Sequence, residues 1–180
     1  CFQQPQGVRP LRLSGARAVP ATRQHGRMEQ LDISRISIDD LRFAPGIDAL
    51  LRDYAAESAI AGLPVPKAEW LTYARMEHHG ALHVIGAYID GQLVGFCNVL
   101  VSLSPHYSVL IAVTESLFVS PSHRGTGAGL ALLREAENVA RERGAAGMLV
   151  SAPTGGTLAA VLEHSKGFRE TNRAFFRGLQ

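Results

Sequence analysis

An α/β fold with a mixed sheet is what the sequence predicts, and three features predict it. Leu31 to Ile36 alternates apolar and polar residues as a half-buried strand does. Two further apolar runs, Leu82 to Ile89 and Gln92 to Ser104, flank Asp90-Gly91, a strong signal for a two-residue hairpin. A third run, Val109 to Val119, leads through a glycine-rich turn into an amphipathic helix. With 180 residues and 46% hydrophobic content, the chain is long enough for one domain with a real core.

The remaining elements follow in order. Residues 1–27 mix Arg, Pro, Gly and Gln without periodicity and read as a disordered basic extension, with Met28 as the natural start of a domain over residues 28–180. Asp39 or Asp40 is placed to cap a helix after the first strand. Leu41, Phe43, Ile47, Leu50, Leu51 and Tyr54 recur there at helical spacings, interrupted at Pro45-Gly46. A second helical stretch covers residues 67–78 and stops near Gly80. Ser104-Pro105-His106-Tyr107 turns the chain between the antiparallel strands. Beyond the glycine turn, Leu130, Leu133, Ala136, Val139 and Ala140 mark one helix face and Gly144 the stop. Residues 148–151, 157–164 and 168–179 then read as a short strand, a short helix and a final strand carrying Phe175 and Phe176.

The formal charge of +2 is unevenly placed. Arg9, Arg12, Arg17, Arg23 and Arg27 lie in the extension, which has no acid; the rest holds 13 basic and 16 acidic residues, a net −3. A basic nucleic-acid surface on the domain is therefore not supported, and a nucleic-acid-binding tail or a targeting peptide is the other reading of the extension itself. No apolar run approaches the ~20 residues that cross a bilayer, so a soluble, cytoplasmic protein is expected. Two cysteines give no disulfide framework, and Cys97, in an apolar stretch, is expected in the core. His78, His79 and His83 are divided by Gly80 and have no Cys or acid to complete a ligand set, so no metal is expected.

The turn Arg124-Gly125-Thr126-Gly127-Ala128-Gly129 carries the chemistry. A phosphate held by a helix needs free backbone N–H groups and no Cβ atoms in the way; a helix start supplies the donors and glycine the access. Arg124 adds a full positive charge. An ATP-type loop needs Lys and a hydroxyl residue after its last glycine, where Leu130 and Ala131 stand, and a dinucleotide loop needs a glycine where Leu130 stands. The plain alternative is a tight strand-to-helix connection whose glycines only relieve crowding.

The segment Leu117-Phe118-Val119-Ser120-Pro121-Ser122-His123-Arg124-Gly125-Thr126-Gly127-Ala128-Gly129-Leu130 resembles the acyl-CoA signature of the GNAT superfamily of N-acyltransferases. Arg124, Gly127 and Gly129 fill its core pattern, and the element order resembles the family from Leu31 onward. The resemblance implies a mostly antiparallel six- to seven-stranded sheet flanked by helices, with a splayed central cleft. It implies that backbone N–H groups of Arg124, Gly125, Thr126, Gly127, Ala128 and Gly129 hold the pyrophosphate of acetyl-CoA as cosubstrate. Main-chain groups on Leu117, Phe118 and Val119 would pair with its pantetheine arm as with an added strand.

Acyl transfer to an amine requires a base, because an ammonium has no lone pair. Glu115, four residues before Val119 in an apolar strand, is the first candidate, against the reading of an edge-exposed or salt-bridged glutamate. The general acid is open: many relatives carry tyrosine four residues before a Gly-Phe pair, but here Glu163 precedes Gly167-Phe168. Tyr107, Ser165 or a water are the substitutes. His106 is placed for the acceptor side, while Asp53, Glu57 and Glu69 are scattered helix acids that read as a solvated face. The acceptor is expected to be an amine on a small molecule or a protein, and a homodimer is left open. A non-catalytic acyl-CoA-binding sensor or scaffold of the same fold is the alternative function.

Overall fold

The computed structural model describes residues 30–179, so the extension read over residues 1–27 and the start at Met28 lie outside it. β1 (Leu31–Ile36) is followed by α1 (Ile38–Arg42), α2 (Ile47–Ser58) and α3 (Trp70–His78). β2 (Leu82–Ile89), β3 (Gln92–Ser104) and β4 (Val109–Val119) come next, then α4 (Ala128–Glu142), β5 (Gly147–Val150) and α5 (Thr157–His164). The sheet runs β1-β2-β3-β4-β5, antiparallel except for the parallel β4–β5 pair.

Local chemistry explains most boundaries. Asp90 and Gly91 both take left-handed backbone angles (φ 49° and 81°), which a two-residue hairpin turn with the sheet's twist requires. The cap of α1 is Ser37: its hydroxyl accepts from the Asp40 N–H while the Asp40 carboxylate accepts from the Ser37 N–H. The expected cap, Asp39 or Asp40, is thus one turn too late; Asp40 is the reciprocal partner, and these bonds hold its carboxyl below the usual range. Pro45-Gly46 separates α1 from α2, as its composition predicts.

Two cores lie on opposite faces of the sheet. α4 buries Leu132, Ala136 and Val139 against Ile85, Cys97 and Val99. Leu130, read as part of that face, is 45% exposed, because the apolar stripe runs through Leu132 instead. Arg35 of β1 clamps α4 from outside, donating to Glu135 at 2.6 Å and to Glu142 at 2.5 and 2.9 Å. The other face packs Leu41, Leu50 and Tyr54 of α1 and α2 on Val84, Phe96 and Phe118.

The sheet has five strands, not the expected six to seven. Residues 168–179 form no strand: they are largely exposed, Phe175 is 93% exposed, and Phe176 lies over Gly62 in the α2–α3 loop instead of beside β5. Two apolar residues in succession do not make the alternation that seats a segment on a sheet edge, and Arg169, Glu170, Asn172 and Arg173 favour solvent. Among the described residues no helix is long and apolar enough to cross a membrane.

Candidate active site

β4 organises the site in two ways. Its parallel pairing with β5 covers only Ile111 to Thr114, and β5 ends at Val150, while β4 runs on to Val119. The edge of β4 from Glu115 to Val119 is therefore left without a neighbouring strand on the β5 side among the described residues, so the sheet opens there. The β3–β4 register also slips: Asn98 faces Ser116, but Val99 faces Thr114. Glu115 is the extra residue of a β-bulge, a device that re-aims side chains beside functional sites.

The bulge leaves Glu115 exposed, as the edge reading of this residue has it, and sets it at the border of a cavity of about 130 Å³ between the sheet and the first helices. Tyr54 and Tyr73 form part of its wall, with Trp70, Phe96, Asn98 and Ser116. The Tyr73 hydroxyl donates to Glu115 Oε1 at 2.8 Å. Burial, then this carboxylate, pushes the Tyr73 phenol well above its ordinary value, so it stays protonated and remains a donor. Tyr54 is shifted the same way for the same two reasons, and its ring meets Phe96 and Phe118 edge-on at 5.7 Å each.

After Val119 the chain makes a short 3₁₀ turn at Pro121–His123 and enters the glycine turn. Gly125 and Gly127 sit at φ 93° and 90°, backbone angles costly for any residue with a Cβ. The Thr126 hydroxyl braces the turn, donating to the His123 carbonyl at 2.8 Å and accepting from the Ala128 N–H at 3.3 Å. The N–H groups of Gly125, Gly127, Gly129 and Leu130 find no acceptor among the described residues. No atom approaches the Cβ positions of Gly125 and Gly127 within 4 Å. Unpaired donors, open space and the positive end of a 15-residue helix fit a diphosphate.

Arg124 is engaged elsewhere. Its Nη2 contacts both Glu57 carboxylate oxygens at 2.7 Å, its Nε donates to the Val119 carbonyl at 3.1 Å, and its guanidinium lies over the Phe118 ring at 5.5 Å. Glu57, read as a solvated helix acid, therefore neutralises the charge beside the phosphate turn. Leu117 and Val119 pack toward α4, and Phe118 is buried beside Tyr54.

The other sequence candidates are spread out. Tyr107 is 70% exposed in the β3–β4 turn, stacked edge-on with His106, and it precedes the start of β4 at Val109, which is itself ~20 Å along the strand from Glu115. Ser165 donates to the Val161 carbonyl at 2.6 Å at the end of α5. Tyr73 was not among the candidates. Its only signal was its place in the apolar Trp70-Tyr73-Ala74 spacing of α3, which reads as core.

The model of the acetyltransferase (GNAT) family matches residues 47–168. No curated protein matches the sequence. Among solved structures, a ribosomal-protein-alanine N-acetyltransferase from Brucella melitensis biovar Abortus 2308 is similar at 23% identity and TM-score 0.60, over 82% of this chain and 99% of that one. The aminoglycoside acetyltransferase meta-AAC0020, from an uncultured soil metagenomic sample and in complex with trehalose, is similar at 21% identity and TM-score 0.64, over 83% and 97%. AAC(6')-Iy in complex with the bisubstrate analog CoA-S-monomethyl-acetylneamine is similar at 20% identity and TM-score 0.64, over 82% and 97%.

Proposed function

The chain belongs to the acetyltransferase (GNAT) family, and on that premise we propose that it is an N-acetyltransferase that moves an acetyl group from acetyl-CoA to an amine by direct attack. The observation that carries this reading is that one strand serves both ends of the reaction. Glu115 lies four residues, or ~13 Å, before the end of β4, and β4 feeds the turn with its four unpaired N–H groups. A fold neighbour was solved with a bisubstrate analog of CoA and an aminoglycoside, which supports CoA as the donor.

Bound acetyl-CoA would supply an activated acyl group: the amine nitrogen would gain the acyl carbon, the C–S bond would break, and the proton that the nitrogen gives up as the amide forms would pass to the departing thiolate. The chain does the rest. N–H groups of Gly125, Gly127 and Gly129 hold the pyrophosphate, with Arg124 and the backbone of Thr126 and Ala128 shaping the cradle. The open edge of β4 at Leu117, Phe118 and Val119 takes the pantetheine arm. Glu115 removes the ammonium proton, directly or through a water, and Tyr73 holds its carboxylate in place. Tyr107, in the exposed turn, is left with a role on a large acceptor only. Cys97 is closed to covalent catalysis because it is fully buried on the α4 face and burial pushes its thiol up to about 12.

Thiol release in a screen of amines tests the reading. Wild-type protein should turn over at least one amine. Glu115→Gln should lower kcat at neutral pH by about 10²–10⁴-fold with acetyl-CoA affinity unchanged by calorimetry. An unaltered rate in the variant removes Glu115 as base, and turnover of no amine leaves the sensor reading in its place.

A further inference from the structure

Three buried side-chain polar atoms among the described residues have no hydrogen-bond partner, and two of them belong to residues that stand side by side at the active-site cavity. They are Asn98 Oδ1 and Ser116 Oγ, whose residues line the cavity while the two atoms themselves are closed off from water. Asn98 is 3% exposed and Ser116 5% exposed. The two residues are direct cross-strand partners on β3 and β4, which brings their Cβ atoms to ~5 Å, and Glu115 is the neighbour of Ser116 at the bulge. A buried polar atom left without a partner lowers the stability of the fold. Two such atoms on adjacent residues that both line one cavity mark a place built for something other than the fold.

The rest of the cavity defines what that something is. Its lining is mostly apolar, with Tyr54, Trp70, Tyr73 and Phe96 beside Leu41, Leu51 and Pro66. Glu115 is the one acidic residue in its lining, and Lys67 at its rim is already paired with Glu69 at 2.8 Å. The volume, about 130 Å³, lies below the ~300–1,000 Å³ of pockets that enclose a whole drug-sized ligand. Resting on the acetyltransferase reading, we infer that Asn98, Ser116 and Glu115 form a three-acceptor socket for a primary ammonium, and that the acceptor is a monoamine on a slim aryl or alkyl arm. Three oxygens match the three N–H bonds of R–NH₃⁺, and the apolar lining favours an apolar arm. A polycation brings several charges to a cavity with one carboxylate, so its remaining ammonium groups lose water without gaining partners.

Direct binding of 2-phenylethylamine, followed by calorimetry without acetyl-CoA, tests the socket separately from the reaction. Wild-type protein should bind this amine at least 10-fold more tightly than it binds a polycationic aminoglycoside. Ser116→Ala and, independently, Asn98→Leu should each weaken the amine about 10-fold or more while acetyl-CoA affinity stays unchanged. The melting temperature of each variant should be equal to or above that of the wild type, since an unpaired buried polar atom has been removed; a residue that only supports the fold would show the opposite. Equal amine affinity in wild type and variants, absence of binding to the wild type, or tighter binding of the aminoglycoside overturns the inference. Acetyl-CoA binding and amine turnover in those cases leave the acetyltransferase reading standing, and their absence removes that reading too.

Discussion

The two ends of the site are built on opposite principles. The turn at residues 124–129 is made of backbone: its donors are N–H groups, its shape comes from two left-handed glycines, and its side chains mostly brace it. The cavity at Glu115 is made of side chains from α2, α3, β3 and β4, held by the sheet and by aromatic packing. A backbone site depends on local angles and is written in consecutive residues. A side-chain site depends on the whole fold, and each of its parts can be exchanged one at a time.

That contrast predicts different sensitivities. The largest effect belongs to the backbone end. Gly127→Val places a β-branched residue at φ 90° and should weaken acetyl-CoA by more than about 100-fold by calorimetry, equivalent to about 2.7 kcal/mol. Amine binding in the cavity should be unaffected; loss of both at once would show that the two ends are not separable.

A middle-sized effect belongs to Tyr73. Its folded pKa lies above the ordinary tyrosine value of about 10, so its contribution to stability is present below that value and is lost as pH rises through and beyond it. The wild-type melting temperature should fall between pH 9.5 and 11.5, and Tyr73→Phe should flatten that fall while lowering kcat by about 10-fold through a loosened Glu115. A wild-type curve that is flat over this range would break the link between Tyr73 and the carboxylate.

The smallest effect should be at the junction. Glu57→Gln releases Arg124 from its exposed ion pair, and because such pairs contribute about 0–1 kcal/mol, acetyl-CoA should bind only a few-fold tighter. A large gain in affinity, read at low and at physiological salt, would mean that Arg124 is gated by Glu57.

The same division accounts for what could be read from the chain. The strands at Leu82–Ile89, Gln92–Ser104 and Val109–Val119 and the helix at Thr157–His164 keep the limits that their patterns set, since hydrophobic period and turn chemistry are local. The glycine turn was legible for the same reason. Tyr73 was not, because its partner Glu115 is 42 positions away and nothing near either residue announces the other. The Asn98 and Ser116 pair was hidden too: each is a single polar residue in an apolar strand, and only the β3–β4 register sets them opposite one another. The segment at 168–179 failed in the other direction, since its aromatic residues suggest a strand and the fold offers them no neighbour there.

The bulge at Glu115 also changes the parity of β4. Before it, even-numbered Ala112 lies in the α4 core; beyond it, even-numbered Phe118 lies in the opposite core, and odd-numbered Leu117 and Val119 take the α4 side. A strand shortened by that single residue would regain an unbroken ladder, with Ser116 and Phe118 still facing the first helices and Leu117 and Val119 still facing α4. Packing on either side of the sheet therefore does not call for the extra residue, and what the bulge adds to β4 is the placement of a carboxylate. Substitution removes the acid and keeps the bulge, whereas deletion removes both and leaves the two cores their residues.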